Sequence, residues 1–109
     1  MTVQSEVREN VAEHRFELWV GDELAGKTMY RGEGQTLPFT HTEIEPRFEG
    51  KGLGSVLIRG ALDAVRARGG SVLPHCPFVQ HFISKHDEYL DLVPEDRRAD
   101  FDLAGTAKI

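Results

Sequence analysis

The sequence predicts an α/β (α+β) fold, one mixed sheet packed with helices, and three observations carry that expectation. The first half alternates apolar and polar residues at a period of two, one long run in the second half follows helical spacing, and short apolar stretches flank that run. With 109 residues, the chain has length for one core and not for two. A single domain over 1–109 is expected, ordered from about residue 10 to 95, because Met1 to Glu9 and Ala104 to Ile109 are polar ends of the kind that fray.

In His14-Arg15-Phe16-Glu17-Leu18-Trp19-Val20, the apolar Phe16, Leu18 and Val20 fall on every second position, and Gly21-Asp22-Glu23 ends this first strand as a turn. Leu24 to Arg31 reads as its hairpin partner, stopped by Gly32-Glu33-Gly34. Gln35 to Glu45 is extended, and Pro38 within it implies an edge or a bulge because proline donates no ladder bond. Leu53, Val56, Leu57, Gly60, Ala61, Ala64 and Val65 share one helical face, which Gly69-Gly70 terminates. Ser71 to Cys76 is a short strand, Pro77 suits the first position of a helix reaching about His86, and Tyr89 to Val93 reads as a last strand.

A hydrophobic content of 39% with 28% charged residues is that of globular proteins in water, and no apolar run approaches the roughly 18 residues of a membrane span. The amino terminus lacks the basic start and apolar stretch of a secretory signal, so cytoplasmic residence is expected. Cys76 is the only cysteine, which removes an internal disulfide. The net charge of -5, with Lys and Arg dispersed along the chain, argues against nucleic-acid binding and favours cationic substrates.

Phe48-Glu49-Gly50-Lys51-Gly52-Leu53-Gly54-Ser55 sets glycines on alternate positions where a strand gives way to the long helix. Such a turn aims several N–H groups at one point, at the positive end of the helix dipole, and the missing side chains let an anion reach the main chain. Arg47 and Lys51 add local positive charge. A phosphate is the natural guest, although the spacing is neither that of a P-loop nor that of a dinucleotide fold.

With its flanks, Ile44 to Ile58, this segment resembles the acetyl-coenzyme A signature of the GNAT superfamily of N-acetyltransferases, in which Gln or Arg is followed after two residues by Gly, any residue, then Gly or Ala. Gly52 and Gly54 match the last two defined positions, and Glu49 stands where Gln or Arg is usual. The likeness runs on through His41-Thr42-Glu43-Ile44, Cys76-Pro77-Phe78 and Lys85-His86-Asp87-Glu88-Tyr89, as in the short YjdJ-type branch. It implies a mostly antiparallel central sheet flanked by helices, acetyl-coenzyme A as cosubstrate and a small-molecule or protein amine as acceptor. The amides of Gly50, Lys51, Gly52, Leu53, Gly54 and Ser55 would bind the pyrophosphate, the pantetheine arm would lie near Ile44, and Cys76 would be the catalytic cysteine.

Acetyl transfer needs an uncharged amine, yet a lysine-type amine has a pKa of about 10.4, so a base must take its proton and an acid must meet the departing sulfur. Two readings of Cys76 stand: a nucleophile favoured by the helix start that follows it, or a side chain that only lines the pocket. His41 and Glu43 share a strand face and are candidate bases, against a reading as solvated polar groups. His75, next to Cys76, faces the other way. Aligned on the family, Ile83 occupies the place of the tyrosine acid, leaving Tyr89 as its substitute. Phe78 and Phe82 read as core, and Lys85 as an exposed lysine. No metal site is expected, since His81 and His86 are five apart and no cysteine pair exists. The alternative function is a non-catalytic acyl-coenzyme A binder or interaction domain. Oligomeric state is left open by the sequence.

Overall fold

The computed structural model describes residues 4–32 and 34–103. Five strands form one sheet in chain order: β1 Ser5–Asn10, β2 Arg15–Val20, β3 Glu23–Tyr30, β4 Thr36–Ile44 and β5 Ser71–Pro74. The first three pairings are antiparallel and the last, β4 with β5, is parallel. A parallel neighbour requires a crossover, and α1, Leu53–Ala67, supplies it. Helix α2, Pro77–Lys85, begins three residues after β5 ends, with Pro77 at its first position as expected.

The core forms where the buried face of α1, made by Leu57, Ile58, Ala61, Leu62 and Val65 at three- and four-residue spacing, meets Phe16, Leu18, Leu37, Phe39 and Val72 of the sheet. A Cβ on Gly60 would lie 2.6 Å from a Val7 methyl, so that glycine lets α1 sit directly on β1. Val7 therefore marks the helix-covered face, and residues one step along each strand mark the other. There the paired positions Arg8, Glu17, Lys27 and Glu43 alternate in charge across four strands. Glu17 accepts from Asn10, Arg15 and Trp19 at 2.8–3.0 Å; burial alone pushes its carboxyl up, and these donors together hold it below its ordinary range.

Two features of β4 open the sheet. The strand bulges at Thr40, since Phe39 faces Tyr30 while His41 faces Met29. It also outruns its neighbour: β5 pairs only with Thr36 to Phe39, and β4 continues unpaired on that side to Ile44. Pro38 thus sits in an internal strand, two residues before a bulge, and not at an edge.

Three expectations are corrected. Residues 5–9, assigned to a fraying tail, belong to β1; apart from Val7 the strand is almost wholly polar, and it is held by pairing with β2 and by that valine against Gly60. The fraying expected of residues 1–3 and 104–109 lies outside the described residues. Tyr89 to Val93, expected as a strand, is 3-10 helix over Asp87–Leu92, and its buried Tyr89 and Leu92 are three apart, as one turn of that helix requires. The ordered part, expected to end near residue 95, runs on through a second 3-10 segment, Glu95–Phe101, which buries Phe101 and leads to the fully buried Leu103. Among the described residues, no helix is long and apolar enough to cross a membrane.

Candidate active site

After β4 the chain makes one 3-10 turn, Pro46–Phe48, and enters the glycine segment. Gly50 and Gly52 have φ of +79° and +75°, where an L side chain is strained, and a Cβ on either would meet open space. Backbone conformation, not crowding, requires glycine there. At Gly54 the constraint is crowding: its Cβ would lie 2.4 Å from Phe78 Cζ, so an added side chain must displace the ring. No side chain caps the first turn of α1, so its leading N–H groups keep their donors available beside that open space.

A cavity of about 550 Å³ opens at this turn. Of the residues expected to hold a cofactor, Ile44, Gly50, Gly52, Leu53 and Gly54 line it. Ser55 lines the neighbouring cavity, and Lys51 lines neither. Arg47, expected to add positive charge, is turned to Glu23 at 3.1 Å and lies over the Phe48 ring. Glu43, Glu45 and Glu49 line the loop cavity instead, so its attraction for an anion rests on main-chain donors.

The second cavity, of about 700 Å³, is the consequence of the split in the sheet. With β5 ended, three consecutive residues of β4, Thr40, His41 and Thr42, reach it even though strand neighbours point to opposite faces. Across from them stand Cys76, Pro77, Phe78, His81 and Phe82. Cys76 is only 3% exposed, and what it shows faces this space. Its Sγ lies 3.3 Å from Thr42 Oγ1, which in turn lies 2.8 Å from Thr28 Oγ1. Thr42 and Phe78 line both cavities, so the two meet there.

His41 and Glu43 are brought together as the strand face predicted, with Nε2 2.8 Å from Oε2. That hydrogen bond, reinforced by the charge of Lys27, holds the Glu43 carboxyl below its ordinary range. An ionised Glu43 accepts a hydrogen bond from the Nε2–H of His41, which in the neutral ring leaves the lone pair on Nδ1. His75 packs edge-on against Phe101 at 5.0 Å, away from Cys76, as strand alternation requires.

Two site assignments change. Tyr89 lines neither cavity: its hydroxyl donates to Asp63 at 2.7 Å and accepts from Arg59 at 3.2 Å, and burial, then that carboxylate, pushes the phenol up. It is withdrawn as an acid for the leaving sulfur. Phe78, read as core beside Phe82, is 42% exposed and is the wall between the cavities, whereas Phe82 is buried. Ile83 is also buried, so no phenol lines either space. Sequence reasoning missed Thr42, Phe48 and Phe78; the exposure of Phe78 depends on Gly54 of α1 standing opposite it, a tertiary contact that spacing within α2 does not show.

Comparison with known proteins agrees with this geometry. The fold matches the NMR structure of a GCN5-like candidate N-acetyltransferase from Staphylococcus aureus at a TM-score of 0.61 and 23% identity, covering 81% of this chain and 86% of that one. No curated protein matches the chain. The model of the GCN5-related N-acetyltransferase family matches residues 15–92, which contain the sheet from β2 onward, the glycine turn and the cysteine. The chain belongs to the GCN5-related N-acetyltransferase family.

Proposed function

We propose that this protein transfers acetyl from acetyl-coenzyme A to an amine, holding the diphosphate at the start of α1 and receiving the acyl group at Cys76. One observation carries the reading: the uncapped N–H groups of α1 and the Cys76 thiol border two cavities that join at Thr42 and Phe78. The residues fit the ligand. Gly50 and Gly52 leave open space where side chains would stand, and the unpaired edge of β4 at Thr42 to Ile44 offers main-chain groups to an amide-bearing arm. Acetyl-coenzyme A supplies an acyl group already activated as a thioester.

The chain's own residues then do three things. Thr42 positions the Cys76 sulfur. His41, oriented by Glu43 and bordering the same cavity, takes the thiol proton on Nδ1 through a bridging water as the Sγ–carbon bond forms, and returns it to the coenzyme sulfur as the carbon–sulfur bond there breaks. In the second half the acceptor nitrogen bonds to the acyl carbon, the Sγ–carbon bond breaks, and the amine proton passes through His41 back to Cys76. Cytoplasmic residence and membership of the short YjdJ-type branch complete the proposal.

The test is intact-mass measurement after mixing with acetyl-coenzyme A alone. The protein gains the mass of one acetyl group on Cys76 and loses it when an amine is added. Cys76→Ala gains nothing and turns over about a hundredfold or more slowly, with coenzyme affinity unchanged. An unmodified wild type whose rate survives Cys76→Ala makes Cys76 a pocket wall and the transfer direct. A second reading, an acyl-coenzyme A binder without turnover, draws support from the lack of a phenol in either cavity. Tight binding with no coenzyme release across a broad amine panel would establish it.

A further inference from the structure

Resting on the acetyl-transfer reading, we infer that the cysteine cavity is the acceptor site and that its acceptor is an amine with an apolar body and a carboxylate. The net charge of -5 favours a cationic substrate, but the lining of this space reverses that expectation. Lys85, His41, His81 and His86 line it, and among the described residues no aspartate or glutamate does. Among the described residues, neither Lys85 nor His81 is in an ion pair with a carboxylate. Both are exposed on α2, along the side that also carries Pro77 and Phe78, so the Lys85 ammonium and the His81 ring border an apolar wall.

Three consequences follow from that juxtaposition. A carboxylate near Lys85 gains a charge-assisted hydrogen bond while the rest of the molecule covers Pro77, Phe78 and Phe82. An ammonium entering beside Lys85 is disfavoured relative to the free amine, which is the form that attacks. A volume of about 700 Å³ exceeds what an acetyl group fills and matches a small-molecule site. Polyamines and lysine-rich peptides meet the wrong charge. The acyl carbon and the acceptor nitrogen then meet at Cys76, with bonds and protons exchanged as in the second half-reaction above.

The experiment compares para-(aminomethyl)benzoate, benzylamine and spermidine as acceptors at saturating acetyl-coenzyme A, reading coenzyme release and acetylated product. The first two share a body and a similar amine. The carboxylated amine is expected to exceed benzylamine by about tenfold in kcat/KM, with spermidine slowest. Lys85→Glu reverses the order of the first two through KM, with coenzyme A affinity by calorimetry unchanged. Equal kcat/KM for all three, or preference for spermidine, overturns the acceptor proposal and leaves acetyl transfer standing. A fall in coenzyme A affinity in Lys85→Glu also overturns it, by putting the coenzyme in this cavity. No coenzyme release with any amine overturns both readings.

Discussion

The loop cavity and the cysteine cavity meet at Thr42 and Phe78, yet they recognise by different means. At the loop, the donors are main-chain N–H groups at the start of α1, and the side-chain charges that line the cavity are the carboxylates of Glu43, Glu45 and Glu49. At the cysteine, the chemistry is carried by side chains: a thiol, a threonine hydroxyl, imidazoles and a lysine. The difference teaches that nearby formal charge is a poor guide to what a site binds. On the proposed reading, an anion at the loop is gripped only within contact distance of the amides, where short-range donors outweigh screened carboxylates. A site of that kind tolerates no intruding side chain, whereas the cysteine side tolerates exchange of any group that does not touch the reacting atoms.

The largest expected effect breaks the main-chain half. Gly52→Asp and Gly52→Asn place side chains of one shape at a φ of +75°, which both residue types accept better than most. Coenzyme A affinity, by calorimetry, falls about a hundredfold for the aspartate and about tenfold for the asparagine, since only the first adds a charge against the phosphates. Equal losses would mean that bulk, not field, decides.

Next in size is the side-chain half. Glu43→Gln removes the acceptor that fixes His41 and is expected to lower kcat about tenfold without weakening coenzyme binding. The sign of its pH dependence follows from the depressed carboxyl. Lying below the ordinary 4.5 in the folded protein, it stays ionised through the neutral range and is lost only as pH falls through its folded value. The variant's deficit is therefore present throughout the neutral range. A deficit confined to acid conditions would remove Glu43 from the mechanism.

How much of this was legible in the sequence differs between the halves in the same way. Gly50 and Gly52 announce themselves, because a positive φ leaves a residue-type signature, and α1 is legible through its unbroken apolar face. β2, β3, β5 and α2 follow from period and punctuation for the same reason. The cysteine side is tertiary. Phe78 and Phe82 share a helix face, and spacing alone puts both in the core. What frees Phe78 is that α1 presents Gly54 opposite it, with no side chain to cover the ring. Tyr89 was misread because Tyr, Leu and Val close together satisfy a strand pattern as well as a three-residue turn, and its hydroxyl partner, Asp63, is far away in sequence.

Gly54→Ala probes the wall between the halves. The added Cβ at 2.4 Å from Phe78 Cζ pushes a half-exposed ring aside, so the cost in stability is about 1 kcal/mol or less, offset by alanine's helix propensity. The loss appears in coenzyme affinity, about fivefold, and Phe78→Ala gives a similar loss. Because both act through one ring, the double variant is expected to be no weaker than either single. Additive losses would show that the ring does not transmit the effect.

The smallest expected effect sharpens the claim that carboxylates merely surround the loop. Glu49 is exposed and lines that cavity, so Glu49→Gln relieves repulsion without touching an amide. Coenzyme A affinity rises about threefold at low ionic strength, and the two proteins converge at high salt, as an exposed charge at a distance demands. A gain that persists at high salt would mean that Glu49 contacts the ligand directly. No gain at low salt would put the phosphates beyond its reach, and with them the grip assigned to the start of α1.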